Sequence, residues 1–165
     1  MNSFRLKKII LAACCAVTLY AVAAGLKVSD ALPDLAGYKL EGALPDAKGK
    51  VVLLDFWASW CGPCGESFPV MDELQKKYGP QGFLIIAVNE DENKSDMDDF
   101  LKTHKVSFTV VRDAGQKLVD KVDVSVMPSS FLFGGDGRVA FVHSGFHGQE
   151  SRQALENEIE SLLKK

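Results

Sequence analysis

Cys61 and Cys64 stand two residues apart in Trp60-Cys61-Gly62-Pro63-Cys64. Two thiols at that spacing, at the start of a helix, can close into a disulfide while the helix continues. Unsatisfied backbone N–H groups and the helix dipole stabilise a thiolate there, so Cys61 is expected to ionise more easily than a free cysteine. A Cys61 thiolate would attack a partner disulfide and form a mixed disulfide. Cys64, one helical turn on, would then attack that bond and release the reduced partner. The competing use of two such cysteines is half of a zinc site, which needs about two further ligands. No second Cys-x-x-Cys pair supplies them. Asp55 is the other reactive candidate. It interrupts an otherwise apolar run, where an ionised carboxylate is costly, so its pKa is expected to be raised.

These groups need a scaffold, and the hydrophobic pattern predicts one. Residues 51–57 are apolar or β-branched except for Asp55, too continuous for a strand wetted on one face. A helix follows from the cysteines to about Tyr78 and Gly79, with Phe68, Met71, Leu74 and Tyr78 at helical spacing. Residues 82–89 form a second buried strand. Strand, helix and strand make a βαβ unit, so the two strands should be parallel. Residues 90–94 read as a polar loop. Ser95 then caps a helix with Asp98 as its capping-box partner, and Met97, Phe100, Leu101 and His104 share one face. Residues 108–111 predict a short strand and 116–122 a short helix. Residues 130–133 and 138–143 predict an antiparallel hairpin turned by Gly134-Gly135-Asp136-Gly137. The helix at 149–163 turns Leu155, Ile159, Leu162 and Leu163 to the sheet, with Lys164 and Lys165 suiting its C-terminal end. Residues 24–48 are a lead-in punctuated by Pro33, Gly37, Gly42 and Pro45. Within it, residues 35–40 are expected as a short strand or half a hairpin.

Trp60-Cys61-Gly62-Pro63-Cys64 resembles the active site of the thioredoxins. Asp55 stands six residues before Cys61, where thioredoxins keep a buried acid. Pro69 stands five residues after Cys64, at their helix-kinking proline. Met127-Pro128, ahead of a strand, matches their cis-proline. The resemblance implies an α/β thioredoxin fold: a central mixed β-sheet flanked by helices, with an N-terminal extension and a central αβ insertion at the 95–111 segment. That layout resembles the TlpA/ResA-like branch of exported or tethered thiol-disulfide oxidoreductases. By this resemblance Asp55 lies behind Cys64 and assists its deprotonation, and Pro128 is cis opposite the cysteines. Trp60, Gly62, Pro63 and Met127 would form the surface on which a substrate docks, whereas Trp57 is expected in the core. A Gly-Pro dipeptide between the cysteines goes with reducing members, and a histidine there with oxidants. Relatives that serve cytochrome c maturation carry an acid immediately before the Phe-Pro of this helix. Here that position is Ser67, with Glu66 one place earlier, so a general reductase is the reading and a cytochrome c substrate the narrower one. The alternatives are a disulfide-forming oxidase on the same fold, or a metal-binding module using His143 and His147 with the cysteines.

The N-terminus bears on compartment. Arg5, Lys7 and Lys8 precede an apolar run from Ile9 to Val22, and Ala21-Val22-Ala23 offers small residues for cleavage before Ala24. Residues 1–23 are thus expected as a signal peptide or a membrane anchor, and residues 24–165 as one thioredoxin-like domain. Leu11-Ala12-Ala13-Cys14 also resembles a lipoprotein cleavage box. All three routes place the domain outside the cytoplasm, periplasmic or otherwise extracytoplasmic in a bacterium. The net charge of −3 becomes −6 without the leader, and no basic stripe invites nucleic acid. Cys14 and Cys15 fall in the leader, so a processed chain keeps only Cys61 and Cys64. An exported protein would normally spend spare cysteines on structural disulfides. This pair sits in a reactive motif instead. The implied partners are exported proteins with disulfides or thiols, and a membrane electron donor of thiol type. The only redox group required is the Cys61–Cys64 disulfide.

Overall fold

The computed structural model describes residues 25–164; the leader expected at 1–23 lies outside them. The chain builds strand β1 (Val51–Trp57), helix α1 (Gly62–Tyr78), β2 (Phe83–Asn89), α2 (Lys94–Thr103), β3 (Thr109–Arg112), α3 (Lys117–Val122), β4 (Ser129–Phe133), β5 (Val139–Ser144) and α4 (Gln149–Leu163). The sheet order is β3-β2-β1-β4-β5. β1 runs parallel to β2 and antiparallel to β4, so it sits at the centre with a neighbour on each edge. That position explains its composition: all seven of its residues are buried.

Side chains alternate between faces along a strand. Val51, Leu53 and Trp57 meet α1, α2 and α4 in one core, joined by Phe68, Met71, Leu74, Leu155 and Ile159. Val52, Leu54 and Phe56 face the opposite way, onto Leu118 and Val122 of α3 and onto the lead-in through Leu35. By the same alternation Asp55 points to the α1 face. The α2–β3 segment adds the edge strand β3, parallel to β2, and is the insertion expected between the second strand and the proline loop. The Gly134–Gly137 turn joins β4 and β5. Gly137 N–H donates to Gly134 O (2.9 Å), and Gly137 takes φ 74°, a region open to glycine.

Two expectations need correction. Residues 35–40 do not form a strand. Leu35–Tyr38 is a 3-10 turn closed by Gly37 N–H to Asp34 O (3.0 Å), and Lys39 is left-handed at φ 55°. Leu35 alone is buried there, so no alternating face exists to pair with the sheet. The lead-in joins the domain instead through single bridges, Ala31 to Arg138 and Glu41 to Arg112. Ser95 is not the cap of α2 either; Asn93 holds that position. Asp98, the proposed capping partner, is held by Lys94 at 2.7 Å, one turn away on the same helix. His104 ends α2 with its ring stacked on Phe100, centroids 3.9 Å apart.

Candidate active site

Cys61 is the N-cap of α1, in extended conformation, and its Sγ accepts the Cys64 N–H at 3.2 Å. Gly62 and Pro63 form the first turn. A proline there loses nothing, because first-turn N–H groups have no partner within the helix. Cys61 and Cys64 are joined as a disulfide. Cys61 is 6% exposed and Cys64 fully buried. The sulfur that solvent and a partner can reach is therefore that of Cys61. It is also the one that the helix N-terminus serves as an anion site once the bond is reduced.

The loop that delivers Cys61 is fastened to the end of β2. The Asp91 carboxylate accepts Ser59 N–H (3.1 Å), Ser59 Oγ–H (3.0 Å) and Asn89 Nδ2–H (2.8 Å). Trp60 follows and is 73% exposed, whereas Trp57 is wholly buried against Phe68 and Phe100. Across from the cysteines, the Met127–Pro128 peptide bond is cis. Trp60, Cys61, Gly62, Pro63, Val126 and Met127 line one groove of about 450 Å³. Val126 is half exposed and Pro128 is buried.

Asp55 is 1% exposed in the middle of β1. Its register partner on β4 is Ser130, whose Oγ–H donates to Oδ1 at 2.6 Å. Oδ2 has no hydrogen-bond partner among the described residues. Burial raises the Asp55 pKa from 3.8 to about 7, against the opposing pull of the Ser130 hydrogen bond. The carboxyl is thus poised to exchange a proton near neutrality.

The structure brings Cys61, Trp60, Gly62, Pro63 and Met127 to one groove, with Cys64 bonded to Cys61, and turns Asp55 to the face of β1 that packs on α1. The histidines proposed as metal ligands are engaged elsewhere: the His147 backbone N–H donates to Ser151 Oγ at 2.9 Å. His143 Nε2 meets Glu158 at 2.7 Å on α4. Among the described residues no three His, Cys, Asp or Glu side chains converge as a metal site. Three residues of the site were not legible as such. Ser130 looked like the first residue of a strand, and its role as hydrogen-bond donor to Asp55 follows from strand register alone. Glu90 and Asp91 looked like solvated loop, yet they are 5% and 3% exposed. The available hint was three polar residues, Asn89-Glu90-Asp91, directly continuing a fully apolar strand.

Residues 24–159 match the Redoxin family. The chain belongs to that family. Curated relatives of this Redoxin include the thiol-disulfide oxidoreductase ResA of Bacillus subtilis, 42% identical over 98 residues. That match takes in 59% of this chain and 55% of the relative, so the chain spans about half the length of that protein. ResA of Geobacillus kaustophilus is 33% identical over 143 residues, 86% of this chain and 79% of the relative. Among solved structures, a candidate thiol:disulfide interchange protein DsbE from Chlorobium tepidum superposes with a TM-score of 0.78 at 40% identity, covering 84% of this chain and 99% of that one. The Redoxin is accordingly a ResA-like member of the thioredoxin superfamily, with the mixed five-stranded sheet flanked by helices. No helix among the described residues is long and apolar enough to cross a membrane.

Proposed function

We propose that this Redoxin is an extracytoplasmic thiol-disulfide oxidoreductase that reduces disulfides in exported partner proteins. The observation that carries the reading is Cys61 at the N-cap of α1, bonded to a buried Cys64 and opening onto a groove walled by Trp60, Pro63, Val126 and Met127. In the reduced protein, the Cys61 thiolate attacks one sulfur of the partner disulfide. A Cys61–partner bond forms, the partner bond breaks, and the second partner sulfur leaves as a thiolate. Cys64, deprotonated with the help of Asp55, then attacks Cys61 Sγ. That step restores the Cys61–Cys64 disulfide and frees the second partner thiol, so two electrons have moved to the partner. The raised pKa of Asp55 suits it to accept that proton near neutral pH. Trp60, Val126 and Met127 hold an extended partner segment beside Cys61, with Pro128 fixing the loop opposite.

The Gly62-Pro63 dipeptide supports the reducing direction, because neither residue adds a cation to stabilise the dithiol. The basic and apolar leader supports export. A reductase outside the cytoplasm consumes one dithiol per turnover, so a membrane protein with exchangeable cysteines would resupply electrons through Cys61. The test is the reduction potential of the Cys61–Cys64 couple together with an insulin-reduction assay. The expected potential is near about −270 mV; a value near about −120 mV would assign the oxidising direction. The protein should reduce insulin, and Cys61→Ser should abolish that activity. Cys64→Ser should hold partners as stable adducts on Cys61, which identifies them from a periplasmic extract.

A further inference from the structure

A second cleft adjoins the substrate groove, and its chemistry is different. It encloses about 280 Å³ and is lined by Trp60, Glu90, Gln116, Asp120, Asp123 and Met127, among others. Trp60 and Met127 also line the groove at Cys61, so the two recesses share a wall. Glu90 lies just past β2, where its N–H donates to Trp57 O at 2.9 Å. The residue is 5% exposed, and neither carboxylate oxygen has a hydrogen-bond partner among the described residues. A buried carboxyl with both oxygens unmet is a costly arrangement that a bound donor would relieve.

The charges that shift its pKa are all of one sign. Asp91, Asp113 and Asp120 raise the Glu90 pKa, after burial itself, to about 9. Asp123 lines the same cleft. None of Glu90, Asp120 and Asp123 is in a salt bridge among the described residues. The nearby Arg112 is already committed, to both Glu41 oxygens and to the Asp91 and Glu92 carbonyls. Asp91 and Asp113 are likewise occupied, by Ser59 and Asn89 and by three N–H groups of α3. A divalent cation would need several carboxylates converging at ligand distance, and no such group forms among the described residues. A long cationic side chain needs only one buried acceptor and an acidic rim.

We propose that this cleft takes a lysine or arginine side chain of the partner polypeptide, carried within a few residues of the cysteine that Cys61 attacks. The inference rests on the oxidoreductase reading and names its substrate class: disulfides flanked by a basic residue. Entry of the cation displaces the Glu90 proton to solvent and leaves a carboxylate paired with an ammonium or guanidinium. The rim acids Asp120 and Asp123 attract the same group on approach.

The test uses short peptides with one internal disulfide, with lysine or norleucine placed in turn one to four residues from either cysteine. The pre-reduced protein is mixed with each in a stopped-flow instrument at constant ionic strength, and the second-order rates are compared. At the best position lysine should exceed norleucine by about tenfold, the factor of one partly buried ion pair. The ratio should rise between pH 6.5 and 8.5, because the proton on Glu90 is then easier to displace; effects on the thiolate cancel in the ratio. Glu90→Gln, of the same shape, should cut the ratio at least threefold, and Asp123→Asn should lower it further. A ratio of one at every position overturns the inference, as does a ratio indifferent to Glu90→Gln. So does a ratio abolished by millimolar calcium, which would assign the cleft to a metal ion. Reduction of the norleucine peptides tests the oxidoreductase reading separately. Its absence sinks that reading, whereas turnover without preference sinks only the basic-residue reading.

Discussion

Asp55→Asn separates what burial does to this carboxyl from what the fold needs of it. Asn keeps the size of the side chain and an acceptor for the Ser130 hydroxyl, which now donates to Oδ1 at 2.6 Å. It removes the charge. In the native protein burial lifts the Asp55 pKa from 3.8 to about 7. The sign follows from proton counting. Between those two values the native state retains a proton that the unfolded chain has released, so wild-type stability falls as pH rises from about 4 through about 7. Above 7 the cost is fully present. A rise of about three pH units, at about 1.4 kcal/mol each, corresponds to about 4 kcal/mol. The oxidised wild type and Asp55→Asn should be unfolded in urea at intervals from pH 4 to pH 8.5. The stability of the variant relative to wild type should climb by about 4 kcal/mol over that range, nearly all of it before pH 7.5. Glu90, also raised by burial, is present in both proteins and cancels. The Asn amide hydrogens have no obvious acceptor where Oδ2 is unpartnered. That adds about 1–3 kcal/mol of cost at every pH, so the slope and not the absolute difference carries the result. A difference that stays flat with pH would refute the assignment of a raised pKa to Asp55. The same variant should release reduced partner from the mixed disulfide more slowly while forming it at the wild-type rate. Equal rates in both steps would remove Asp55 from the mechanism.

Two further outcomes follow from the site. Asp91→Ala leaves Ser59 N–H and Asn89 Nδ2–H without their acceptor; it should cost about 1–3 kcal/mol in urea unfolding and slow disulfide exchange, because the loop carrying Trp60 and Cys61 loses its anchor. Trp60→Ala should change stability by less than about 0.5 kcal/mol, since the ring is 73% exposed. It should lower kcat/KM for a protein disulfide about fivefold while leaving a small disulfide reagent unaffected; an equal loss on both would argue against a docking role.

The legibility of this protein in its sequence was uneven, for identifiable reasons. β1 and β2 could be read because central strands bury both faces and so carry apolar runs, broken in β1 by Asp55 alone and ended in β2 by Asn89. The end helix could be read as well, because a 3.6-residue stripe survives without knowledge of its neighbours: Leu155, Ile159 and Leu162 are buried as the stripe requires. The lead-in at 24–48 could not be read in this way. Its apolar residues serve the second core one at a time through turns and single bridges, which leave no period. Capping at α2 was misplaced because Asp98 had a stronger claim from Lys94, and such competition between two local pairings is settled by geometry.

The chemistry divides along the same line. Cysteine spacing, the Gly-Pro insert and an acid stranded in an apolar strand are local facts, legible in sequence because thiol exchange and helix starts are themselves local. What surrounds them is not local. Asp55 meets Ser130 across 75 positions, Ser59 meets Asp91 across 32, and Glu90 comes to share a cleft wall with Trp60 and Met127. Contacts of that range depend on strand register and on where a loop is folded under its neighbours. A one-dimensional pattern holds neither, and so an apparently solvated acid at the end of β2 turned out to be among the more deeply buried carboxyl groups of the described residues.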